Sequence, residues 1–192
     1  MNKFLAVTIM TLGGCVLPLF GGLIANATFR STQIDPTDWQ YTLTLNNTGT
    51  TTIGTFWFSW IPGQDYMPTS PSSITGPTGW TSTVTAGGAG DGYAIQWVTA
   101  TNLLGPGNSV SGFGFDSATT PAQMAGLSLF HNNPPVGTSF VYIAAPLGDP
   151  GFSFVATATT TGTPEPSSLL LLTAGIGLLG WKHKRVAANS GR

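Results

Sequence analysis

The chain has 192 residues, of which only 7% are Asp, Glu, Lys or Arg, and its net charge is −1. Between Thr28 and Thr163 stand six aspartates (Asp35, Asp38, Asp65, Asp91, Asp116 and Asp149) and one base, Arg30, which excludes recognition of nucleic acid through clustered Lys and Arg. The only cysteine, Cys15, lies near the start, so the rest of the chain has neither an internal disulfide nor a thiol nucleophile and must hold together by its core.

Met1-Asn2-Lys3 is a short basic start, followed by an apolar run from Phe4 to Ile24 and then Ala25-Asn26-Ala27. Small residues at Ala25 and Ala27 make the A-x-A pattern of a signal-peptidase site. They predict a signal peptide over 1–27, cut after Ala27, and export of the chain from Thr28 onward. Retention as an uncleaved anchor is the competing reading, weakened by Pro18 and by Gly13, Gly14, Gly21 and Gly22 within the run. Leu12-Gly13-Gly14-Cys15 resembles a bacterial lipoprotein box, which implies lipidation of Cys15 as an alternative to cleavage after Ala27. Val16 to Ile24 stays apolar, however, where such chains turn polar.

The stretch 28–156 is predicted to be one all-β domain. Trp39, Tyr41, Leu43 and Leu45 alternate with polar residues, the period of a half-buried strand. Asn46-Asn47-Thr48-Gly49 is turn chemistry. Ile53 to Ile61 is apolar on both faces, as expected of one central strand ended by Pro62-Gly63. Further strands are predicted at Trp80–Thr85, Tyr93–Val98, Ser109–Phe115, Phe140–Ala144 and Phe152–Ala156. The first pair is joined through Gly87-Gly88-Ala89-Gly90-Asp91-Gly92. Tyr93, Ile95 and Trp97 should share a face. Thr120-Pro121 predicts one short helical turn, with Thr at the N-cap and Pro first in the helix. Strands punctuated by turns imply an antiparallel β-sandwich. A Thr-rich linker is expected over 157–163.

Beyond it, Pro164-Glu165-Pro166 precedes an uncharged run, Leu169 to Trp181, of 13 residues. As a helix this spans about 20 Å, short of the ~30 Å hydrocarbon core. Lys182, Lys184 and Arg185 come next as a basic stop, so the segment 164–192 predicts a marginal membrane helix with its tail inside. Taken alone, such an end suits a permanent tail anchor or a transient sorting signal.

Pro164-Glu165-Pro166, the Leu- and Gly-rich run and the basic cluster together resemble the PEP-CTERM sorting signal of Gram-negative bacteria. The cluster departs from the family pattern in mixing Lys, His and Arg, and Val186 to Arg192 extend past it. The resemblance covers about the last 30 residues. It implies that exosortase, a membrane protease, removes the helix and tail after a transient stay in the inner membrane. Delivery to the cell surface or the exopolysaccharide matrix would be the result. A looser resemblance rests on Tyr41 to Gly49 and Leu104 to Phe115, which look like the hairpin and the Pro-Gly turn of bacterial Ig-like surface modules. It implies an Ig-like topology.

Candidate chemistry is sparse. His131 is the domain's only histidine and stands before Asn132-Asn133-Pro134-Pro135, so it is expected to be a solvated loop residue. Zinc needs three or four convergent ligands, and no nucleophile elbow is present. No catalytic residue, metal ligand or cofactor is assigned, and the domain is read as non-enzymatic. Gly87 to Gly92 resembles a calcium-binding nonapeptide, with Asp91 one place early, and is better explained as a hairpin. A calcium ion shared by Asp91 with Asp116 or Asp149 stays open. Trp39, Trp57, Trp60, Trp80 and Trp97 are expected in the core, with Trp80 and Tyr66 the least core-like aromatics. Asn46-Asn47-Thr48 matches a glycan acceptor pattern that turn chemistry already explains. The expected partners are signal peptidase, exosortase, the membrane and exopolysaccharide. The alternative functions are a carbohydrate- or calcium-dependent binding module, or a permanently tail-anchored envelope protein.

Overall fold

A computed structural model describes residues 22–88, 90–144 and 147–159. Residues 1–21, with Cys15 and most of the apolar start, lie outside the described residues, as do Pro164-Glu165-Pro166, the apolar run 169–181 and the basic stop. At the end of that start, Leu23 packs on the core and the Ile24 carbonyl accepts the N–H groups of Thr48 and Gly49. Among the described residues no helix is long and apolar enough to cross a membrane.

The fold is an all-β sandwich. The first sheet contains β1 (Ala25–Asp35), β2 (Asp38–Asn47), β6 (Ser72–Thr75), β9 (Ser109–Ser117) and β12 (Thr157–Ala158), in the order β12-β1-β2-β9-β6. The second contains β3 (Thr55–Phe58), β7 (Thr81–Ala86), β8 (Tyr93–Val98), β10 (Thr138–Tyr142) and β11 (Phe152–Val155), in the order β11-β10-β3-β8-β7. Pairing is antiparallel in both except for β12, which lies parallel to β1 through Thr28 opposite Thr157 and Phe29 opposite Ala158.

Strand alternation sets what meets between the sheets. Phe29, Tyr41, Leu43, Leu45, Phe113 and Phe115 project from the first sheet, and Phe56, Phe58, Ile95, Trp97 and Val141 from the second. The core is therefore largely aromatic. Phe29 meets Phe58 edge-on at 6.1 Å, and Phe56 meets Phe113 at 5.2 Å. Each such side chain contributes roughly 1.5–3 kcal/mol when fully buried, which a disulfide-free domain needs. Gly112, at φ 102°, makes this register possible. The ladder shifts between Leu43 and Thr44, opposite Phe113 and Ser111. Gly112 is thus the extra residue of a bulge, in a conformation that side chains disfavour. The bulge returns Phe113 to the core while Ser111 faces out.

The expected helical turn is present as α1 (Pro121–Met124). Thr120 caps it, and Gln123 closes a reciprocal capping box. The expected strand Ile53–Ile61 is corrected. Its central part is indeed the middle strand of the second sheet, but it breaks at Ser59, whose φ is 62°. The chain then turns back as a separate hairpin, β4 (Trp60–Ile61) and β5 (Gln64–Asp65). Strands β1, β5 and β6 are additional to the expected set, and β12 takes up Thr157 and Ala158 of the expected Thr-rich linker by pairing with β1. Tyr66 and Trp80, expected to be the least core-like aromatics, are only 1% and 8% exposed. Trp80 meets Phe113 edge-on at 5.2 Å.

Candidate functional site

Three places in the fold gather side chains capable of recognition or chemistry. The first is a polar cluster joining the β4–β5 hairpin, the β7–β8 turn and the loop that carries His131. His131 is not simply solvated: its Nε2 lies 2.7 Å from Asp91 Oδ1. A carboxylate oxygen only accepts, so the ring N–H donates here. The same oxygen accepts the N–H of Asp65 at 2.8 Å and that of Gly92 at 3.0 Å. The Asp91 side chain folds back over Gly87, where a Cβ would collide with it, which explains the glycine at that position. His131, Asn132 and Asn133 all have positive φ, a costly run for residues other than glycine. The hydrogen bond from His131 to Asp91 helps to hold it.

Burial pushes the Asp91 carboxyl up, but the Asp65 N–H, the His131 ring and the Gly92 N–H outweigh it and hold the group below its ordinary range. Asp65 is the opposite case. Burial and the nearby Asp91 charge raise it, against a 3.3 Å hydroxyl donation from Thr85 and the pull of His131. A raised carboxyl costs stability above the unfolded pKa, and the cost disappears below it; the lowered Asp91 contributes above that range and is lost on acidification. Asp65→Asn is therefore expected to raise the melting temperature by about 2–4 °C at pH 7. The gain should vanish below the carboxylate range in thermal melts across pH.

An oriented His–Asp pair supplies two of the three members of a hydrolytic triad. Among the described residues, however, no serine or threonine hydroxyl bonds the ring. Asp116 lies on β9 opposite Gln40 and Ser72, and Asp149 caps the loop after β10 by accepting from the N–H groups of Ile143 and Gly151. Among the described residues no group of three or more His, Cys, Asp or Glu side chains could hold a metal ion. Asp91 has His131 and Asp65 as its neighbours instead of the calcium partners that the sequence left open.

The second place is the outer face of the first sheet. Register places Asn26, Asn46 and Ser109 in one row, and Thr157, Thr28, Thr44 and Ser111 in the next. Arg30 with Thr42, and then Thr32, Gln40 and Asp116, continue the pattern. Asn46 donates to Asn26 Oδ1 at 2.7 Å and Ser109 donates to Asn46 Oδ1 at 2.6 Å. Strands are about 4.8 Å apart and successive outward residues about 7 Å apart. The result is a lattice of hydroxyl and amide groups with one base and one acid. Ala25 and Ala27 point the other way on the same strand and are 4% and 1% exposed. A cut after Ala27 would remove these two and Asn26, leaving Thr28 as the first residue of β1.

The third place is the outer face of the second sheet, where a second aromatic cluster lies outside the sandwich. Trp57 of β3 stands opposite Phe140 of β10 and Gln96 of β8. Tyr142 and Ala94 join it, and Trp60 is laid over it by the turn at Ser59. The rings of Trp57 and Trp60 are stacked at 4.1 Å with 13° between planes, and Phe140 meets Trp60 edge-on at 5.8 Å. Trp57 and Trp60 are each 7% exposed. The Trp57 indole N–H and the Ser59 hydroxyl are both buried without a hydrogen-bond partner.

No family model matches the chain, and no curated protein matches it. Among solved structures it is similar to the chitin-binding domain of Chi18aC from Streptomyces coelicolor, at 33% identity and TM-score 0.34, over 48% of this chain and 77% of that one. It is also similar to a GH20 exo-β-N-acetylglucosaminidase from Vibrio harveyi, at 9% identity and TM-score 0.40, over 70% of this chain and 18% of that one. A third is a CBM3 module of Hungateiclostridium clariflavum, at 10% identity and TM-score 0.40, over 70% of this chain and 98% of that one.

Proposed function

We propose that this chain is an exported, non-catalytic module of a bacterial surface or extracellular matrix, processed at both ends. The observation that supports it is where the fold sits in the sequence. The strands run from Ala25 to Ala158: the cut after Ala27 falls three residues into β1, and the last strand, β12, ends at Ala158. Only five residues, 159–163, separate that strand from Pro164-Glu165-Pro166. A cut by exosortase at that motif would fall beyond the last strand. Changing Pro164, Glu165 and Pro166 to alanine is expected to leave the chain full-length and in the membrane fraction, read by immunoblot of fractionated cells. Unchanged release would refute sorting at this motif, whereas an unaltered chain that itself stays full-length in the membrane would favour a permanent tail anchor.

A second reading is that the domain contacts neutral polysaccharide. It is favoured by the row-and-column lattice of hydroxyls and amides on the outer face of the first sheet. Such groups hydrogen-bond sugar hydroxyls without requiring charge. Replacing Thr42 and Thr44 with lysine should weaken retention of the protein by a neutral polysaccharide in native gels; equal retention would remove the lattice from this role.

A further inference from the structure

We propose that Trp57 and Trp60 form a closed aromatic clamp for a single neutral pyranose ring. This rests on the reading that the domain meets neutral sugars, and adds a second site on the opposite sheet. The two rings are parallel and in contact at 4.1 Å, and they lie outside the main core. Their arrangement is costly in two ways. Ser59, at φ 62°, holds a conformation that costs on the order of 1–3 kcal/mol for a residue with a side chain. The Trp57 N–H and the Ser59 hydroxyl are buried without partners, and each such group costs roughly 1–3 kcal/mol. A strand continuing straight past Phe58 would avoid the strain, so a purely packing role accounts poorly for all three features.

The chemistry of the cluster selects the ligand. Trp57, Trp60, Ile61, Phe140 and Tyr142 offer apolar faces, which suit the C–H faces of a sugar. The orphan donor of Trp57 lies in the indole plane and needs an acceptor at the ring edge, which a hydroxyl overhanging that edge from a stacked sugar supplies and a cation does not. No basic side chain belongs to the cluster, so an anion finds no counter-charge. Rotation of the Trp60 side chain off Trp57 opens the site. Separating the planes to about 7–8 Å, twice an ordinary carbon contact of 3.5–4.0 Å, admits one ring. The main chain of the hairpin can stay in place, because Tyr66 N–H donates to Ser59 O at 2.9 Å and Gly92 N–H donates to Asp65 O at 3.0 Å.

The test uses the full chain in detergent with soluble neutral polysaccharides (a β-glucan, a mannan and a galactan) and their short oligosaccharides. Intrinsic tryptophan fluorescence and affinity electrophoresis are the readouts. The wild type should bind at least one, with a change in tryptophan emission. Trp57→Phe keeps a six-membered ring and removes the orphan donor together with the pyrrole part of the indole. The relief of the unsatisfied donor offsets the lost ring area, so the melting temperature should stay about unchanged while binding weakens about tenfold. Trp60→Phe, which shrinks the platform, should also weaken binding and supplies the test if Trp57→Phe fails to fold. Binding by the wild type that both variants retain would overturn the clamp and leave the polysaccharide reading standing. No binding by the wild type to any of the polysaccharides would overturn both.

Discussion

Phe113→Ala should destabilise the domain by about 4–5 kcal/mol, the upper part of the range for deleting a buried aromatic ring. Phe113 is fully buried and is the hub of the core. It meets Phe56, Trp80 and Trp97 edge-on, each at 5.2 Å. Alanine would leave a cavity walled by three large rings that cannot collapse into it without leaving their own packing. The geometry of these contacts adds to their area, since edge-on aromatic pairs contribute roughly 0.5–1.5 kcal/mol each. No disulfide limits the unfolded chain in compensation. Domains of this size have about 5–15 kcal/mol in total, so the variant should be partly unfolded near 40 °C. Equilibrium urea unfolding of variant and wild type measures the difference. A loss under 2 kcal/mol would mean that the sheets close over the gap, and that Phe113 is not central.

Asn47→Asp tests a different kind of stability. Asn47 is 1% exposed, and its Nδ2 donates to the carbonyl oxygens of Thr51 at 2.7 Å and Leu104 at 2.9 Å. Its Oδ1 accepts from Gly49 N–H at 3.1 Å. The amide thus ties the turn after β2 to the turn before β9. Aspartate has the same shape but no donor, and presents an oxygen to two carbonyl oxygens. An ionised, unpaired group here should cost about 3–5 kcal/mol at pH 7. Its folded pKa must lie above its unfolded value, so the penalty is present above the ordinary carboxylate range and eases below it. Denaturant titrations at pH 7 and pH 4 should show part of the loss recovered at pH 4. A loss equal at both pH values would argue against an ionised group at this position.

These two residues also mark what the sequence could and could not tell. The motifs behind the Ig-like resemblance, Asn47-Thr48-Gly49 and Leu104-Gly105-Pro106-Gly107-Asn108, meet through Asn47: its N–H donates to Asn108 O, and Gly107 N–H donates to its carbonyl, both at 2.9 Å. The strands with large alternating apolar residues, such as Tyr41 to Leu45 and Tyr93 to Trp97, were legible because period-two patterning survives without tertiary context. Strand β1 was not, because its inward residues are Ala25, Ala27 and Phe29 and its small residues also fit a cleavage signal. Ser59 gave no turn signal, since serine seldom takes positive φ. The His131–Asp91 pair spans 40 residues, and no local pattern announces it. Trp57 and Trp60 were expected in a core, and they are in one, but alternation cannot tell the inner face of a sheet from the outer when both are apolar.

The central proposal, a sandwich released from between two processed ends, is tested most directly by the intact mass of the protein recovered from its host's surface and matrix, with both termini sequenced. The expected product begins at Thr28 and lacks the apolar run 169–181 and the basic tail. A chain that still carries Leu169 to Arg192 and stays with the membrane would contradict it.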